Sequence, residues 1–492
     1  MDNLQKRIEE AARLLEEINE DRALLNGVDE VTRQRLLIAA GQVSRPDKDA
    51  RRALARARQR GQKHDKRDAD QGLMNQTGIR KLRESPIFLT PRRIAAFEDR
   101  PFENTTTESI GESHAERTCY VCRKAFREVH FFYDQMCLAC GDFNFEKRSQ
   151  LADLHGRVAL VTGARVKIGF QAAIMLLRSG ARVICVTRFP NDAAVRYAAE
   201  DDFEDWRDRL EIFGLDLRHT PSVEVFCRHL NNTQHRLDFI VNNACQTVRR
   251  PTGFYDHLMA NELESDRLSD AARALVGQAG DVERGDELTQ PQTPSALLSQ
   301  IELLAEDSER GNHLFPKGQL DADLQQVDLR KVNSWRLKLD EVSAIELLEV
   351  QLVNAVAPFI LNARLKPLMA AVPTRDKHIV NVSAMEGQFY RVFKTDRHPH
   401  TNMAKAALNM MTRTSAIDYL EDGIHMNSVD TGWVTDEDPI DHARAKREIH
   451  RFHPPLDIVD GAARIVDPIF AGINSGEHTW GQFLKDYKET DW

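Results

Sequence analysis

Two cysteine pairs, Cys119-Tyr-Val-Cys122 and Cys137-Leu-Ala-Cys140, stand fourteen residues apart. Each pair can present two thiolates to one tetrahedral ion, and a spacer of that length lets a hairpin bring the pairs together. Cysteine fills all four ligand positions, so the pattern predicts a closed, structural zinc site. A module of roughly 30 residues has little core of its own and would draw much of its stability from the metal. His130, among the aromatics of the spacer, reads as a packed residue. A second chemical signature is Thr162-Gly163-Ala164-Arg165-Val166-Lys167-Ile168-Gly169, which follows the buried-strand pattern Val158–Thr162 and opens the helical pattern FQAAIMLLRSG. A glycine-rich turn at a helix start aims backbone N–H groups and the positive helix end at a phosphate, as a dinucleotide requires.

The elements that must position these groups follow from pattern. From Arg157 onward strand and helix patterns alternate, which predicts a parallel α/β sheet. The expected architecture is a Rossmann-type, doubly wound parallel sheet over 151–492 with a large insertion at about 247–340. A helical, charged arm (1–85) and a linker with the four-cysteine module (86–150) precede it. Residues 86–118 are turn-rich and read as connector. The stretch Arg45–Arg67 holds ten Lys or Arg against three Asp. It has no aromatics for base stacking, so a solvated helix or linker is expected and nucleic acid is not. The net charge of −9 excludes a wholly basic nucleic-acid binder. No uninterrupted run of 18 apolar residues appears, so no membrane partner is expected, and the charged N-terminus lacks a secretory apolar core. The cytoplasm is the expected compartment. Cys185 and Cys227 lie in apolar segments and read as small core residues.

The chain resembles the short-chain dehydrogenase/reductase family from about Arg157 to Trp492. The resemblance rests on the Thr162–Gly169 turn, on Asp216-Leu217 after the third strand, and on Asn242-Asn243-Ala244-Cys245. It continues through Asn354 in a helix, Ser383 at a strand end, Lys405 in the helix MAKAALNMMTRTSA, and the late turn Thr431-Gly432-Trp433-Val434-Thr435. It implies an NADP or NAD cofactor held by Gly163, Arg165, Lys167, Ile168, Gly169, Arg188, Asp216, Leu217, Asn242, Ala244, Lys405 and Thr435. It also implies catalysis by Ser383, Lys405 and Asn354. Lys167 replaces a glycine of the family turn. Arg188, just past the second strand, sits where a basic group can meet a ribose 2′-phosphate, which favours NADP.

One departure bears on chemistry. The family's Tyr-x-x-x-Lys is here Thr401-Asn-Met-Ala-Lys405. A phenol has a pKa near 10, within tuning reach of a neighbouring cation, whereas an aliphatic hydroxyl is a far weaker acid. Three readings stand: a proton donor relocated to Tyr390, His400 or Thr401; hydride transfer aided by Ser383 and water; or a nucleotide-binding pseudoenzyme acting as a sensor or scaffold. The first expectation is an NAD(P)-dependent oxidoreductase acting on a small carbonyl or alcohol substrate. A homo-oligomer through the long helices, and a protein partner on the zinc module or insertion, complete the expectations.

Overall fold

In the computed structural model, residues 2–84, 90–91, 109–277, 294–321, 323–389 and 394–492 are described. Two compact units divide at Gly72–Leu73. The first is helical: Asp2–Glu20, Glu30–Ser44 and most of Lys48–Asn75. Asp29 starts the second helix by accepting the Thr32 N–H at 2.9 Å, one of the orphan donors at any helix start. Leu4, Ile8 and Leu15 repeat at helical spacing yet stay exposed. From Lys48 the basic stretch forms part of the long third helix, exposed on all sides over 48–67.

The second unit holds both chemical signatures. β1 (Ser109–Thr118) and β2 (Ala125–His130) form an antiparallel hairpin, and the helix Leu138–Arg148 follows. The hairpin therefore flanks the first cysteine pair rather than lying within the spacer. Its first strand occupies the end of what the turn-rich composition suggested was connector. The main sheet takes β3 (Val158–Thr162), β4 (Arg182–Thr187), β5 (Leu210–Gly214), β6 (Phe239–Asn242), β7 (Lys377–Ser383), β8 (Ile424–Asp430), β9 (Phe483–Lys485) and β10 (Lys488–Thr490). The order is β10-β9-β8-β7-β6-β3-β4-β5, parallel throughout except for β10.

The strand order reverses between β3 and β6, the switch point where open α/β sheets place their ligands. Helices cover both faces, so the central strands read as near-continuous apolar runs. Alternate residues of β3 enter different cores. Ala159 and Val161 join the helices Lys167–Arg178 and Ile458–Ser475, while Val158 and Leu160 join Thr220–Thr233, Ala357–Ala370 and Pro399–Glu421. Cys185 and Cys227 are buried in these cores, as their apolar context predicted.

The helical run Ala344–Ala370 is apolar and long enough to cross a membrane, although no uninterrupted apolar stretch marks it in the sequence. Here it buries Val350, Leu361 and Leu365 within the unit. It is broken by a π turn, Leu352–Val356. Pro358 has no N–H to offer the Asn354 carbonyl four residues before it, which accounts for the break. The insertion is not a bare loop. Its helices Asp256–Leu263 and Asp270–Leu275 pack on the helix after β4, and Val276 bridges Ile212 at the β5 edge.

Candidate active site

A cleft of ≈ 1080 Å³ opens along the C-terminal ends of β3 to β8. At its floor Gly163 adopts φ +66°, and a Cβ there would sit 2.8 Å from the Ala244 Cα. A Cβ on Gly169 would meet the Gly163 carbonyl at 2.4 Å. These two positions admit only glycine, and the strand–turn–helix they join has the form of a phosphate cradle. Lys167 keeps the left-handed backbone of the glycine it replaces, φ +55°, a conformation that costs a side-chain-bearing residue about 1 kcal/mol. Its ammonium lies 3.6 Å from Asp323 and 3.9 Å from Glu437, tying the turn to the insertion and to the late turn. Burial opposes its charge, but Glu437 and Asp323 prevail and raise its pKa.

The other expected cofactor residues divide into those facing the cleft and those facing inward. Ile168, Arg188, Asp216, Leu217, Ala244, Lys405 and Thr435 line the cleft. Arg165 lines it too, but its guanidinium is held by Asp192 at 2.7 Å. Asp216 is gripped by Arg218 at 2.7 Å. Thr435 donates to Glu437 at 2.6 Å. Asn242 does not face the cleft: its amide donates to Asn362 and Asn381, both at 2.8 Å, within the buried interior. The adjacent Asn243 faces the cleft instead, bracing the Thr162 and Gly163 carbonyls at 3.1 and 3.2 Å. On a parallel strand the period of two sends neighbouring side chains to opposite faces, and the motif by itself does not say which points in.

Ser383 ends β7, is 3% exposed, and its hydroxyl has no partner. An orphaned buried hydroxyl at the mouth of a cleft is costly unless a ligand completes it. Lys405, one strand-width away on Pro399–Glu421, donates one of its three protons to the Val382 carbonyl at 2.7 Å. Asn354 does not line the cleft. Its side chain accepts the Gln246 N–H at 2.7 Å and so pins the loop after β6. That makes Asn354 a positioning residue.

The relocated-donor expectation is corrected in part. His400 points away from the cleft, 1% exposed, with Nε2 3.4 Å from Glu346. Tyr390 lies outside the described residues. Of the two histidines flanking Pro399, the one that faces the cleft is His398. It caps the Pro399–Glu421 helix at φ +40° and stacks on Trp335 of the insertion, with centroids 3.9 Å apart and planes 8° from parallel. Its Nδ1 lies 3.2 Å from the Thr401 hydroxyl, which donates to the His398 carbonyl at 2.8 Å. Burial lowers the His398 pKa, so the neutral ring prevails at pH 7.

The four cysteines converge: their sulfur atoms all lie within 4.8 Å of one another, and Cys122 and Cys137 stand 3.8 Å apart. Tetrahedral zinc with bonds of about 2.3 Å separates its sulfurs by about 3.8 Å, so the cluster fits a zinc module. Cys119 and Cys122 come from the β1–β2 turn, and Cys137 and Cys140 from the start of the Leu138–Arg148 helix. His130 is no ligand. It is buried, accepting the Phe132 and Tyr133 N–H groups at 3.0 and 3.1 Å.

No local pattern in the chain signals that this module forms a wall of the cleft. Tyr120, Arg123 and Gln135 line it. The Tyr120 hydroxyl accepts the Trp433 N–H at 3.0 Å, and Gln135 donates to the His453 carbonyl at 2.6 Å. Arg148 locks the module down through Asp457 and Asp460 at 2.7 and 2.9 Å. The opposite wall is the insertion. Tyr255 accepts from Arg188 at 2.7 Å, and Arg249 is forked onto Asp307 at 2.7 and 2.6 Å.

Comparison with known proteins agrees with this geometry. A family model described as short chain dehydrogenase matches residues 157–264, and one described as Enoyl-(Acyl carrier protein) reductase matches 333–456. An uncharacterised protein of Acanthamoeba polyphaga mimivirus is 31% identical over 381 residues, spanning 75% of this chain and 74% of the relative. Human retinol dehydrogenase 14 is 34% identical over 126 residues, 22% of this chain and 38% of the relative. Bovine dehydrogenase/reductase SDR family member 13 is 36% identical over 107 residues, 20% of this chain and 28% of the relative. The chain thus spans well under two thirds of these last two. The NADPH-bound carbonyl reductase from chicken fatty liver superposes with TM-score 0.42 at 17% identity, covering 69% of this chain and all of that one. Sheet order, phosphate cradle and paired family models agree: the chain belongs to the short-chain dehydrogenase/reductase family, a family of NAD(P)-dependent oxidoreductases.

Proposed function

We propose that this chain is an NADP-dependent oxidoreductase acting on a carbonyl or its alcohol. The observation that carries the reading is the unpartnered, buried Ser383 hydroxyl in the same cleft as Lys405 and the two obligatory glycines. The dinucleotide, when bound, supplies or accepts the hydride. The Gly163–Gly169 turn would hold its pyrophosphate, and Arg188 a ribose 2′-phosphate. Ser383 donates its free proton to the substrate oxygen and so favours the negative charge that grows there. Lys405 keeps two ammonium protons for ribose hydroxyls. Thr401 cannot act as an acid unaided, but it touches His398. As the Thr401 proton moves to the substrate oxygen, the hydroxyl takes one from His398 Nδ1, and the ring takes a proton from water at Nε2.

Zinc is the ion assigned to the four thiolates, supported by their spacing. Exposed Phe359, Met410 and Ile417 on the helices that carry Asn354 and Lys405 support a homo-oligomer through those faces. A second reading, a nucleotide-binding scaffold without turnover, draws support from Lys167, whose two carboxylate partners bridge over the phosphate turn. Calorimetric titration with NADPH, NADH and their oxidised forms separates the two. The oxidoreductase reading expects NADPH to bind about tenfold or more tighter than NADH, and Ser383→Ala to lower kcat in a carbonyl screen at least a hundredfold. Binding without turnover of any carbonyl would favour the scaffold.

A further inference from the structure

The cleft contains six arginines, and four of them are committed to carboxylates: Arg165 to Asp192, Arg218 to Asp216, Arg249 to Asp307 and Arg250 to Asp328. Among the described residues, the two without a carboxylate within ion-pairing distance are Arg188 and Arg123. They sit at opposite ends. Arg188 follows β4, whereas Arg123 lies beside Tyr120, whose hydroxyl holds the turn after β8, four strand steps from β4 or about 19 Å. Arg188 serves the cofactor. Arg123 stands at the other end, beside the late turn, where substrate would enter.

The surroundings of Arg123 fit an anion-recognition role. Two lysines that line the cleft near the late turn are already paired: Lys485 with Asp486 at 2.9 Å, and Lys446 with Asp438 at 2.5 Å. Arg123 follows ligand Cys122 directly and holds φ +61°, so the cysteine knuckle fixes its backbone. Its guanidinium lies 5.7 Å from the Tyr120 ring centroid. Nearby, Trp433 and Phe452 pack at 4.5 Å and form an apolar platform inside the cleft.

We propose that Arg123 binds an oxyanion on the substrate, a carboxylate or phosphate ester, while Trp433 and Phe452 pack against the apolar body that bears the carbonyl. The substrate class is thus an anionic, apolar-bodied aldehyde or ketone, or its alcohol. This deepens the oxidoreductase reading and rests on it. Arg123 is itself exposed, and a charge-assisted guanidinium–oxyanion contact there supports discrimination of about tenfold.

The test uses full-length, metal-loaded protein and three matched aldehydes: 4-carboxybenzaldehyde, 4-formylphenyl phosphate and methyl 4-formylbenzoate. NADPH oxidation gives kcat/KM for each. One or both anions should exceed the neutral ester about tenfold, and the preferred anion tells carboxylate from phosphate. Arg123→Asn, which tolerates the left-handed backbone, should bring the ratio to about one, and Arg123→Lys should keep part of it. An equal ratio in the parent protein, or one unmoved by Arg123→Asn, overturns the assignment. A second arm needs no turnover: calorimetry of 4-(hydroxymethyl)benzoate and 4-(hydroxymethyl)phenyl phosphate with the NADP-loaded protein. Binding that Arg123→Asn weakens about tenfold, without any aldehyde reduction, would sink the oxidoreductase reading and keep Arg123 as an anion site. No Arg123-dependent binding of either probe sinks the anion site whether or not the aldehydes are reduced.

Discussion

The two walls of the cleft are built by different physics. The first wall is a small hairpin and helix that meet at four cysteines and are anchored through Arg148, Asp457 and Asp460. The second wall, beside Arg188, is the insertion, held by arginine–carboxylate chains. Asp216, Arg218, Glu349, Arg249 and Asp307 run in unbroken contact from the cleft into the insertion. The first wall converges on a single cluster whose four sulfurs could hold one ion. The second spreads its attachment over many buried pairs, each costly to break singly because a partner charge is left behind. A cleft closed in this way can lose one wall without losing the other.

The largest effect expected is removal of the metal. Structural zinc contributes on the order of 10 kcal/mol to modules of this size, so chelation under reducing conditions should unfold the β1–β2 hairpin. Hydrogen exchange across 109–148 should lose its protection while β3 to β8 keep theirs. A metal-free hairpin that stays protected would contradict the comparison at its root.

Next comes Asp307→Ala, which leaves Arg249, 5% exposed, without its forked partner. A loss of about 3 kcal/mol is expected in urea unfolding. Exchange should rise over 294–321 and not over 109–148.

A smaller effect tests the end beside Arg188. Arg188→Ala should reduce the preference for NADPH over NADH about tenfold by calorimetry, roughly 1.4 kcal/mol. An unchanged preference would move the 2′-phosphate elsewhere.

The smallest effect is in pH. Burial pushes the Asp307 and Asp328 carboxyls up, but their arginine partners prevail and hold both below the ordinary 3.8. Such groups stabilise the folded state fully above pH 3.8 and cease to do so as pH falls through the lowered folded value. Urea unfolding should therefore show no change in the contribution of these pairs between pH 5 and 8 and its loss only below about pH 4, a loss that Asp307→Ala should reduce.

Much of this was legible from residue order. The glycine turn, the strand that feeds it and the cysteine quartet are local patterns, so their chemistry followed from spacing. The catalytic neighbourhood was legible only to within a turn of helix. Ser383 and Lys405 both line the cleft, but the choice between His398 and His400 depended on how the chain enters the helix. His398 takes the left-handed cap conformation and turns into the cleft, and His400 is carried round to Glu346. Asn242 and Asn243 were separated by strand phase in the same way.

By itself, the sequence determined that a dinucleotide cradle would form and that four thiolates could meet at one point. It also determined that no tyrosine precedes Lys405 by four residues, since each of these depends on neighbours in the chain. Only the tertiary structure decided which arginines remain unneutralised, and that a segment near residue 120 would wall a cleft whose floor begins at 163. Charge pairing and cleft walls are contacts between residues far apart in sequence. Burial and approach, rather than spacing along the chain, set their partners.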